Sequence, residues 1–246
     1  AGMPDNIQIN YFTGPHPAGN PGIQIHHLDP INGKNDIVWS ISCIDMISIG
    51  WMIKDKKYHN RKMITLGGIS DTMSRYVDIL RGTEISSLLS DVKIEDKTIV
   101  SGDLLSGNIT SLESGVGNLH ETLSFVRNST NREFLGWILP GLLKPSHSRT
   151  FLSSMIKNTK ITHTRNLNGS RRAIIPFGRW EKMLPMKILP DFLVKSILAK
   201  DIDMMENLGI YECVPDDFAL CAYVCQSKVE VSDIIQQGLD YIEVEG

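Results

Sequence analysis

The most apolar stretch of the chain is residues 37–53, IVWSISCIDMISIGWMI. Side chains alternate in polarity along residues 37–43, which is typical of a strand, and from residue 44 onward the apolar spacing becomes helical. Asp45 and three serines interrupt the stretch, which makes it short and broken for a membrane span. We therefore predict a buried strand followed by a buried helix, in a chain that does not cross a membrane.

Two further apolar segments flank this stretch and predict strands, IQIHHL at residues 23–28 and KMITLGG at residues 62–68. Strand, helix and strand in succession are typical of an α/β domain. Residues 63–110 then predict short strands and one short helix, EISSLLSD, with Thr83 as its N-cap. TIVSGDLLSG, at residues 98–107, predicts a strand and a turn.

Helical patterns dominate the C-terminal part of the chain. Pro190 occupies a first-turn position, Asp216 is the predicted cap of the helix that carries ALCAYVC, and Ser232 is the predicted cap of a last helix. The predicted apolar stripe of the helix that starts at Pro190 consists of Phe192, Leu193, Ile197 and Leu198. Together the patterns predict an α+β chain of more than one domain.

Composition places the chain among ordinary globular proteins. Of its 246 residues, 41% are hydrophobic and 22% charged, and the formal net charge of −3 gives no electrostatic reason to bind nucleic acid. Four cysteines at irregular spacing do not form a disulfide framework, so we expect a reducing compartment. The opening AGMPDNIQINYF resembles neither a signal nor a transit peptide and lacks a first Met, so we expect a processed or cut chain.

No motif identifies a catalytic residue. The loop TGPHPAGNPG, at residues 13–22, lacks the glycine patterns of nucleotide sites, and its prolines remove N–H donors that a phosphate site needs. His26-His27-x-Asp29 offers two ligands on one face of a strand, whereas zinc takes three or four protein ligands. We therefore predict no catalytic, cofactor-binding or metal-binding residue, a rigid connection in the loop, and a structural or exposed role for the histidines.

Arginines and aromatic residues interleave in the segment NGSRRAIIPFGRWEKMLP, residues 168–185. Arg and Trp are favoured at anchor positions of protein–protein interfaces. A charged loop in solvent explains the same composition, so both interpretations stay open. The candidate contact residues are Arg171, Arg172, Phe177, Arg179 and Trp180.

Three of the four cysteines, Cys213, Cys221 and Cys225, lie within thirteen residues of one another. Cys221 and Cys225 are four residues apart and therefore share one face of a helix. A zinc site or a four-iron cluster needs four soft ligands, whereas this spacing supplies three. Free cysteines are commonly buried as small apolar residues, so packing is the first interpretation and an iron–sulfur site is the alternative.

Six strings along the chain resemble a known family. They are FTGPHPAGNPG, IHHLDP, REFLGWILPG, SRTFLSS, NGSRRAIIPFGRWEKMLPMKILP and FALCAYVC, and they are similar to the A subunit of the sodium-translocating NADH:quinone reductase. The resemblance runs from Tyr11 to Gly246. It implies a peripheral subunit on the cytoplasmic face of the bacterial inner membrane, which is soluble when isolated. The implied complex passes electrons from NADH to ubiquinone and exports sodium.

The same resemblance implies partners, cofactors and domains. The partners are the other subunits of the complex, above all its membrane subunits; these carry the flavins and iron centres, while this chain binds no cofactor. Residues 1–62 correspond to the C-terminal part of a Rossmann-like α/β domain, residues 63–112 to a β-grasp (SLBB-like) module, and residues 113–246 to a mainly helical domain. The resemblance thus implies an assembly or scaffold role and a link to quinone binding. The aromatic candidates for a quinone contact are Trp137, Phe151, Phe177 and Trp180, and core packing explains each of them as well.

Kinship with ferredoxin-like proteins gives the cysteines a second interpretation. When Cys221 and Cys225 are set on the last two cysteines of a Cys-x2-Cys-x2-Cys-x3-Cys run, Pro215 and Phe218 fall on the first two. The pair then represents a degenerate cluster motif that binds no iron. Two alternatives to the role in the reductase remain: an iron–sulfur electron carrier, and a stand-alone protein-binding module.

Overall fold

The computed structural model describes residues 6–68, 74–89, 94, 96–128, 134–156 and 164–246. They form two compact units. The sheet unit lies within Ile41–Asn168, and the helical unit combines the described residues up to Ser40 with Gly169–Gly246. A mixed sheet in one unit and a helical C-terminal region in the other confirm the predicted α+β class.

The sheet unit contains five strands in the order β2-β1-β5-β3-β4. The central pair, β1 and β5, is parallel, and every other neighbouring pair is antiparallel. The strands are β1 (Arg61–Gly67), β2 (Arg75–Leu80), β3 (Lys97–Ser101), β4 (Asn108–Thr110) and β5 (Thr122–Arg127). The strands predicted at residues 62–68 and near residue 98 are therefore confirmed.

One face of this sheet carries the core of the unit. Alternate positions of β1 are buried, and Ile64 and Leu66 pack with Leu123 and with Ile85. The predicted helix at EISSLLSD is reduced to a 3-10 turn, Ile85–Leu88, which begins after Glu84. The prediction that Thr83 is its N-cap was wrong, because the Thr83 hydroxyl donates to the Leu80 carbonyl at 2.6 Å instead.

Lys62 is buried in this core although it carries an ammonium group. Its Nζ donates to the backbone carbonyls of Gly117, Asn118 and His120, at 2.7, 3.0 and 3.0 Å. Burial lowers the pKa of the amine, and the nearby Arg81 guanidinium lowers it further. The three carbonyls use all three donors of the ammonium, which fastens the 117–120 loop to β1.

Helix α2 (Cys43–Asp55) also belongs to the sheet unit. Ser42 caps it, since its hydroxyl oxygen accepts from the Asp45 N–H at 3.1 Å, and the Asp45 carboxylate accepts from Arg81 Nη2 at 2.6 Å. The predicted helix is confirmed, but the prediction that it is buried was wrong, because Ser48 is its one buried residue. The strand predicted at residues 37–43 does not form.

The helical unit begins with α1 (Pro21–Leu28), where we predicted a strand. Ile23 and Ile25 fit the period of a strand, whereas Ile25 and Leu28 fit the i, i+3 spacing of a helix, and Pro21 at the first helical position favours a helix. The remaining helices are α3 (Pro190–Ala199), α4 (Ile202–Asn207), α5 (Ala219–Val224) and α6 (Val231–Glu245). Their core includes Ile23, Trp180, Leu193, Met205, Ile210, Phe218, Cys221, Val231 and Ile235.

Helices α3 and α6 pack closely through a glycine. A Cβ atom on Gly238 of α6 would lie 2.8 Å from Ile197 Cγ1 of α3, closer than real side chains approach. Leu193 and Ile197 of the predicted α3 stripe are buried, whereas Phe192 and Leu198 are each 56% exposed. Helical periodicity places Val194, rather than these two, beside Leu193 in the core.

The predicted caps of the last two helices were wrong. Asp216 lies inside a 3-10 turn, Pro215–Phe218, that runs into α5, and no side-chain cap is formed there. Helix α6 starts at Val231, so Ser232 is its second residue instead of its cap. In both cases the helical turn begins at an apolar residue, Pro215 or Val231, one position before the polar residue that we predicted as its cap.

The three domain ranges, with boundaries at residues 62/63 and 112/113, stay a prediction. The sheet crosses the second boundary, because β5 pairs with both β1 and β3. Within the described parts of the chain, no helix combines the length and the apolar character that a membrane span requires.

Replacing Lys62 with Met is expected to destabilise the chain. The apolar side chain fills a similar volume but leaves three carbonyls without their donor, which costs about 2–4 kcal/mol. The measurement is the free energy of unfolding in urea. Lys57→Met, at an exposed lysine of the same unit, is the control; equal losses in the two variants would contradict the anchoring role of Lys62.

Candidate functional site

A small depression in the helical unit brings together several residues that the sequence singles out. Its empty volume is about 280 Å³, including its opening to solvent. Three of the five predicted contact residues line it, Phe177, Arg179 and Trp180. The other lining residues are Ile174, Ile175, Asp191, Val224, Cys225, Gln226 and Ser227.

The remaining two predicted residues, Arg171 and Arg172, are exposed and do not line the depression. The backbone N–H of Arg172 donates to the Ser227 carbonyl at 2.9 Å. The Ser227 hydroxyl in turn donates to the Ala173 carbonyl at 2.8 Å. These bonds tie the arginine–aromatic segment to the chain that follows α5, and they position the wall of the depression.

Arg179 is held in place at the rim by Gln226. With the amide oriented so that its oxygen faces the guanidinium, that oxygen accepts from both terminal nitrogens of Arg179, at 2.7 and 3.0 Å. A guanidinium fixed in this way presents its remaining N–H groups in a defined direction. Arg179 is therefore the best placed hydrogen-bond donor of the depression.

The two aromatic side chains of the segment play different parts. Trp180 is 5% exposed and belongs to the core of the helical unit, whereas Phe177 is 58% exposed. Phe177 thus offers an apolar surface to a ligand or partner, and Trp180 forms the floor beneath it. An apolar surface beside a few oriented polar groups is the usual composition of a small-molecule site.

A pair of carboxyl groups lies at the inner end of the depression. Asp191, in the first turn of α3, is buried, and its side chain is hydrogen-bonded to Glu181. Burial raises the pKa of Asp191, the neighbouring Glu181 charge raises it further, and the Gly178 N–H opposes this. Oε2 of Glu181 is buried and has no donor partner in the described part of the chain.

Two thiols complete this part of the core. Cys221 and Cys225 are both buried, and Cys221 Sγ donates to the Trp180 carbonyl at 3.6 Å. Burial raises the pKa of Cys221 to about 12, with smaller contributions from Glu181 and Asp191. Burial likewise raises the pKa of Cys213. Burial therefore favours the neutral thiol at Cys213 and Cys221, and a neutral thiol is a poor nucleophile.

Of the two positions that the ferredoxin-like comparison sets on cluster ligands, Phe218 belongs to the core and Pro215 is half-buried. Phe218 is fully buried and Pro215 starts the 3-10 turn before α5. Among the residues that the structure describes, no group of three or more His, Cys, Asp or Glu side chains is arranged to hold a metal ion. The absence of iron remains a prediction for analysis of the purified protein.

His26, the first residue of the His26-His27-x-Asp29 motif, has a structural role. His26 accepts the Lys187 N–H at Nε2, 3.1 Å away, and its Nδ1 is paired with Glu212. These contacts define the tautomer with the proton on Nδ1. His27 is exposed and contacts the Pro185 carbonyl through Nε2. The predicted structural or exposed role of the two histidines agrees with this geometry, although they lie on a helix instead of a strand.

Sequence reasoning missed the acids of the helical unit. Glu181, Asp191 and Asp217 carry no motif, and an Asp in a first helical turn ordinarily lies in solvent. Asp217 is buried, accepts from Asn20 Nδ2 at 2.8 Å, and lies where a Cβ on Gly22 would collide with it. The one available signal was the glycine in Asn-Pro-Gly, since a close approach needs a residue without a side chain.

Comparison with known proteins gives the class of the chain. Residues 2–58 match the family described as "NqrA second alpha/beta domain". Over 98% of its length the chain is 37% identical to the A subunit of the Na(+)-translocating NADH-quinone reductase of Rhodopirellula baltica, of which the match covers 53%. The proteins of the same name in Klebsiella pneumoniae and Neisseria meningitidis serogroup A are 36% and 33% identical over 98% of the chain.

The chain is therefore an α+β homologue of subunits of a quinone-linked oxidoreductase. More specifically, it is homologous to the A subunit of the sodium-translocating NADH:quinone reductase, which confirms the resemblance seen in the sequence. The chain spans about half the length of the curated relatives it matches.

Replacing Asp191 with Asn tests the carboxyl pair. The folded-state pKa of Asp191 is raised, so the contribution of this group to stability is greatest below pH 4 and declines as pH rises through the folded-state pKa. Asn imitates the protonated acid, because it accepts from Gly178 and donates to Glu181. The variant is expected to gain about 1 kcal/mol over the wild type between pH 4 and pH 8 in chemical unfolding.

The matched control is Asp203→Asn, at the equivalent position of α4 but exposed. The free energy of unfolding of Asp203→Asn, relative to the wild type, should not increase between pH 4 and pH 8. A pH-independent effect of Asp191→Asn would contradict a raised folded-state pKa for Asp191.

Replacing Cys221 with Ala tests whether the thiol packs or binds metal. Removing a buried sulfur is expected to cost about 1 kcal/mol of stability and to leave the iron content equal to that of the wild type, at zero. Cys43→Ala, at an exposed thiol, controls for the loss of a cysteine. Iron in the anaerobically purified wild type that disappears in Cys221→Ala would overturn the packing interpretation.

Proposed function

We propose that this chain serves as the A subunit of a sodium-translocating NADH:quinone reductase. The observation that carries the proposal is the similarity to proteins of that name over 98% of the chain, at 37% identity in one case. The chain would act on the cytoplasmic face of the inner membrane, as a peripheral component beside the membrane subunits of the complex.

Within that complex we assign the chain an assembly role without a bound cofactor. The buried thiols, with their raised pKa values, support a packing role for the cysteines over an electron-carrying one. The depression opens to solvent, and its empty volume of about 280 Å³ includes that opening, so it does not enclose a dinucleotide. Electron transfer would then take place in other subunits, and this chain would hold them in position.

Two finer domain assignments belong to the same proposal. The five-stranded mixed sheet with its parallel pair β1 and β5 supports the β-grasp assignment, with strands from Arg61 to Arg127 that extend past the predicted range 63–112. The match of residues 2–58 to an α/β domain supports placing α1 and α2 at the end of a Rossmann-like domain. In this arrangement the β-grasp module follows that domain along the chain.

A contact with ubiquinone is proposed at the rim of the depression. Phe177 offers an exposed ring, and Arg179, fixed by Gln226, offers N–H donors beside it. A quinone ring needs an apolar surface and a donor for its carbonyl oxygen, which these two side chains provide. Arg171 and Arg172, being exposed and outside the depression, are proposed to contact a partner subunit instead.

The proposal is tested by assembly and by activity. The tagged chain is expected to co-purify with the membrane subunits of the reductase of its own organism, and the isolated chain is expected not to oxidise NADH. Oxidation of NADH by the purified chain alone would show a catalytic function instead. A chain that co-purifies with none of the membrane subunits would be a stand-alone binding module, and the proposal would fail.

The quinone contact is tested in the same assembled complex with a photoreactive quinone. Labelling of the 174–180 segment is expected, and Arg179→Ala should reduce it about tenfold, since a charged hydrogen bond is worth about 1.5–3 kcal/mol. Arg171→Ala should leave it unchanged. Label found entirely outside this chain would remove the quinone contact while leaving the assignment to the reductase complex intact.

A further inference from the structure

A segment of the sheet unit, residues 134–156, exposes many large apolar side chains to solvent. We call it the apolar lobe; the structure describes all of its residues. Contiguous exposed apolar area marks a surface that contacts a partner or a membrane. Ten apolar residues of the lobe are between 44% and 90% exposed: Phe134, Leu135, Trp137, Ile138, Leu139, Leu142, Leu143, Leu152, Met155 and Ile156.

Backbone hydrogen bonds bring the two ends of the lobe together. The Leu152 N–H donates to the Pro140 carbonyl at 2.9 Å, and the Ser153 N–H donates to the Gly141 carbonyl at 3.4 Å. A Cβ atom on Gly141 would lie 2.5 Å from the Phe151 ring, and the φ of Gly141 is +65°, so only glycine fits there. The exposed residues before and after this contact therefore belong to one folded lobe.

The charge of the lobe differs in sign from that of the whole chain. The lobe contains Lys144 and Arg149 and no Asp or Glu, whereas the chain carries a formal net charge of −3. Lys144 Nζ donates to the Gly136 carbonyl at 2.7 Å and lies 5.8 Å from the centre of the Phe151 ring, which holds the ammonium on the lobe. Arg149 is exposed. Cations beside exposed apolar side chains are the composition that an anionic bilayer surface attracts.

The aromatic residues of the lobe fit the same environment. Phe134 is 90% exposed and Trp137 is 75% exposed. Tryptophan is enriched at the level of lipid headgroups, because its ring is apolar and its indole N–H can still reach water or a phosphate. The lobe therefore combines the three features of an interfacial segment: exposed aliphatic residues, an exposed tryptophan and cations without neighbouring acids.

A protein surface fits the lobe less well than a lipid surface. The cytoplasmic loops of membrane proteins carry an excess of Lys and Arg, which would repel a cationic lobe, whereas the cytoplasmic leaflet is anionic. The exposed residues are also nearly continuous along 134–143, so they do not follow the spacing of a single helix or strand face. A fluid lipid layer accommodates side chains that point in several directions, because it needs no matching shape.

The backbone of the lobe limits how deeply it can enter a bilayer. Its one regular element is the 3-10 turn Leu152–Ser154. Irregular backbone exposed to lipid does not occur within the hydrocarbon core, where its N–H and C=O groups would find no water. Insertion is therefore restricted to the headgroup level.

We infer that the apolar lobe inserts at the headgroup level of an anionic phospholipid bilayer. This contact goes beyond the proposed subunit role, because it gives the chain its own attachment to lipid. It rests on the exposure and charge of the lobe and holds whether or not the chain assembles with the reductase.

The test measures co-sedimentation of the chain with vesicles of phosphatidylcholine, with and without phosphatidylglycerol. Binding to the vesicles that contain phosphatidylglycerol is expected, and 1 M salt should weaken it, because the Debye length falls to about 3 Å. Trp137→Asp should weaken binding about tenfold or more, since it replaces an inserted ring with an anion. Arg149→Gln should weaken it about fivefold, the loss of one cation near the surface.

Trp39→Asp is the matched control, at a tryptophan of the helical unit that is 91% exposed, and should leave the affinity unchanged. Circular dichroism should show the Asp variants folded, since both side chains lie largely in solvent. Equal losses in Trp137→Asp and Trp39→Asp would overturn the inference, as would equal binding to vesicles without phosphatidylglycerol.

Two other results would assign the lobe to a protein contact and also overturn the inference. One is self-association of the chain that Trp137→Asp abolishes. The other is a wild-type chain that binds no vesicles but co-purifies with the membrane subunits in a Trp137-dependent way. Vesicle binding by a chain that co-purifies with no membrane subunit would support the lipid contact while removing the reductase assignment, so the two proposals fail separately.

Discussion

The ammonium group of Lys62 fixes the arrangement of the sheet unit. It joins a central strand to three carbonyls of the 117–120 loop, and Arg81 reaches the same loop through the Asn118 side chain at 3.0 Å. Arg81 also binds Asp45 at the start of α2. Two buried or half-buried cations thus determine which side of α2 faces the sheet unit. The outward direction of its apolar residues is a consequence of this charge pairing.

The helical unit is organised by acids instead. Asp191 and Glu181 share a site at the inner end of the depression, and Asp217 lies against α1 with Asn20 as its donor. Burial raises the pKa of both aspartates, so each is more easily protonated than in solvent. Neutral acids can lie beside thiols and aromatic rings at a modest desolvation cost. A raised pKa therefore lowers the cost of keeping these aspartates in a core that also contains buried cysteines.

Sequence patterns correctly predicted the elements that depend on local residue spacing. The predictions were wrong where the structure depends on a residue far away in the chain. The helix from residue 44 and the strand at residues 62–68 follow from spacing alone. Residues 23–28 fit both a helix and a strand, and a first-turn proline decided the outcome. The exposure of α2 could not be predicted, because it depends on Arg81, thirty-six residues beyond Asp45.

The candidate site also contains residues that local sequence patterns predict and residues that they do not. Interleaved arginines and aromatic residues identified Phe177, Arg179 and Trp180, which the structure brings to one depression. Gln226 and Asp191 complete that depression from other elements, and nothing in their local sequence indicates it. Arg171 and Arg172 belong to the same arginine-rich segment but do not line the depression. Composition alone does not predict the direction in which the backbone of a segment orients its side chains.

The spacing of Cys221 and Cys225 allows either a packing or a ligand role, and the core around them favours packing. Both thiols lie in one apolar core with Phe218. Burial raises the pKa of Cys221 to about 12, so the neutral thiol is favoured there over the thiolate. A buried neutral thiol behaves as a small apolar residue, which is the role that stabilises the helical unit.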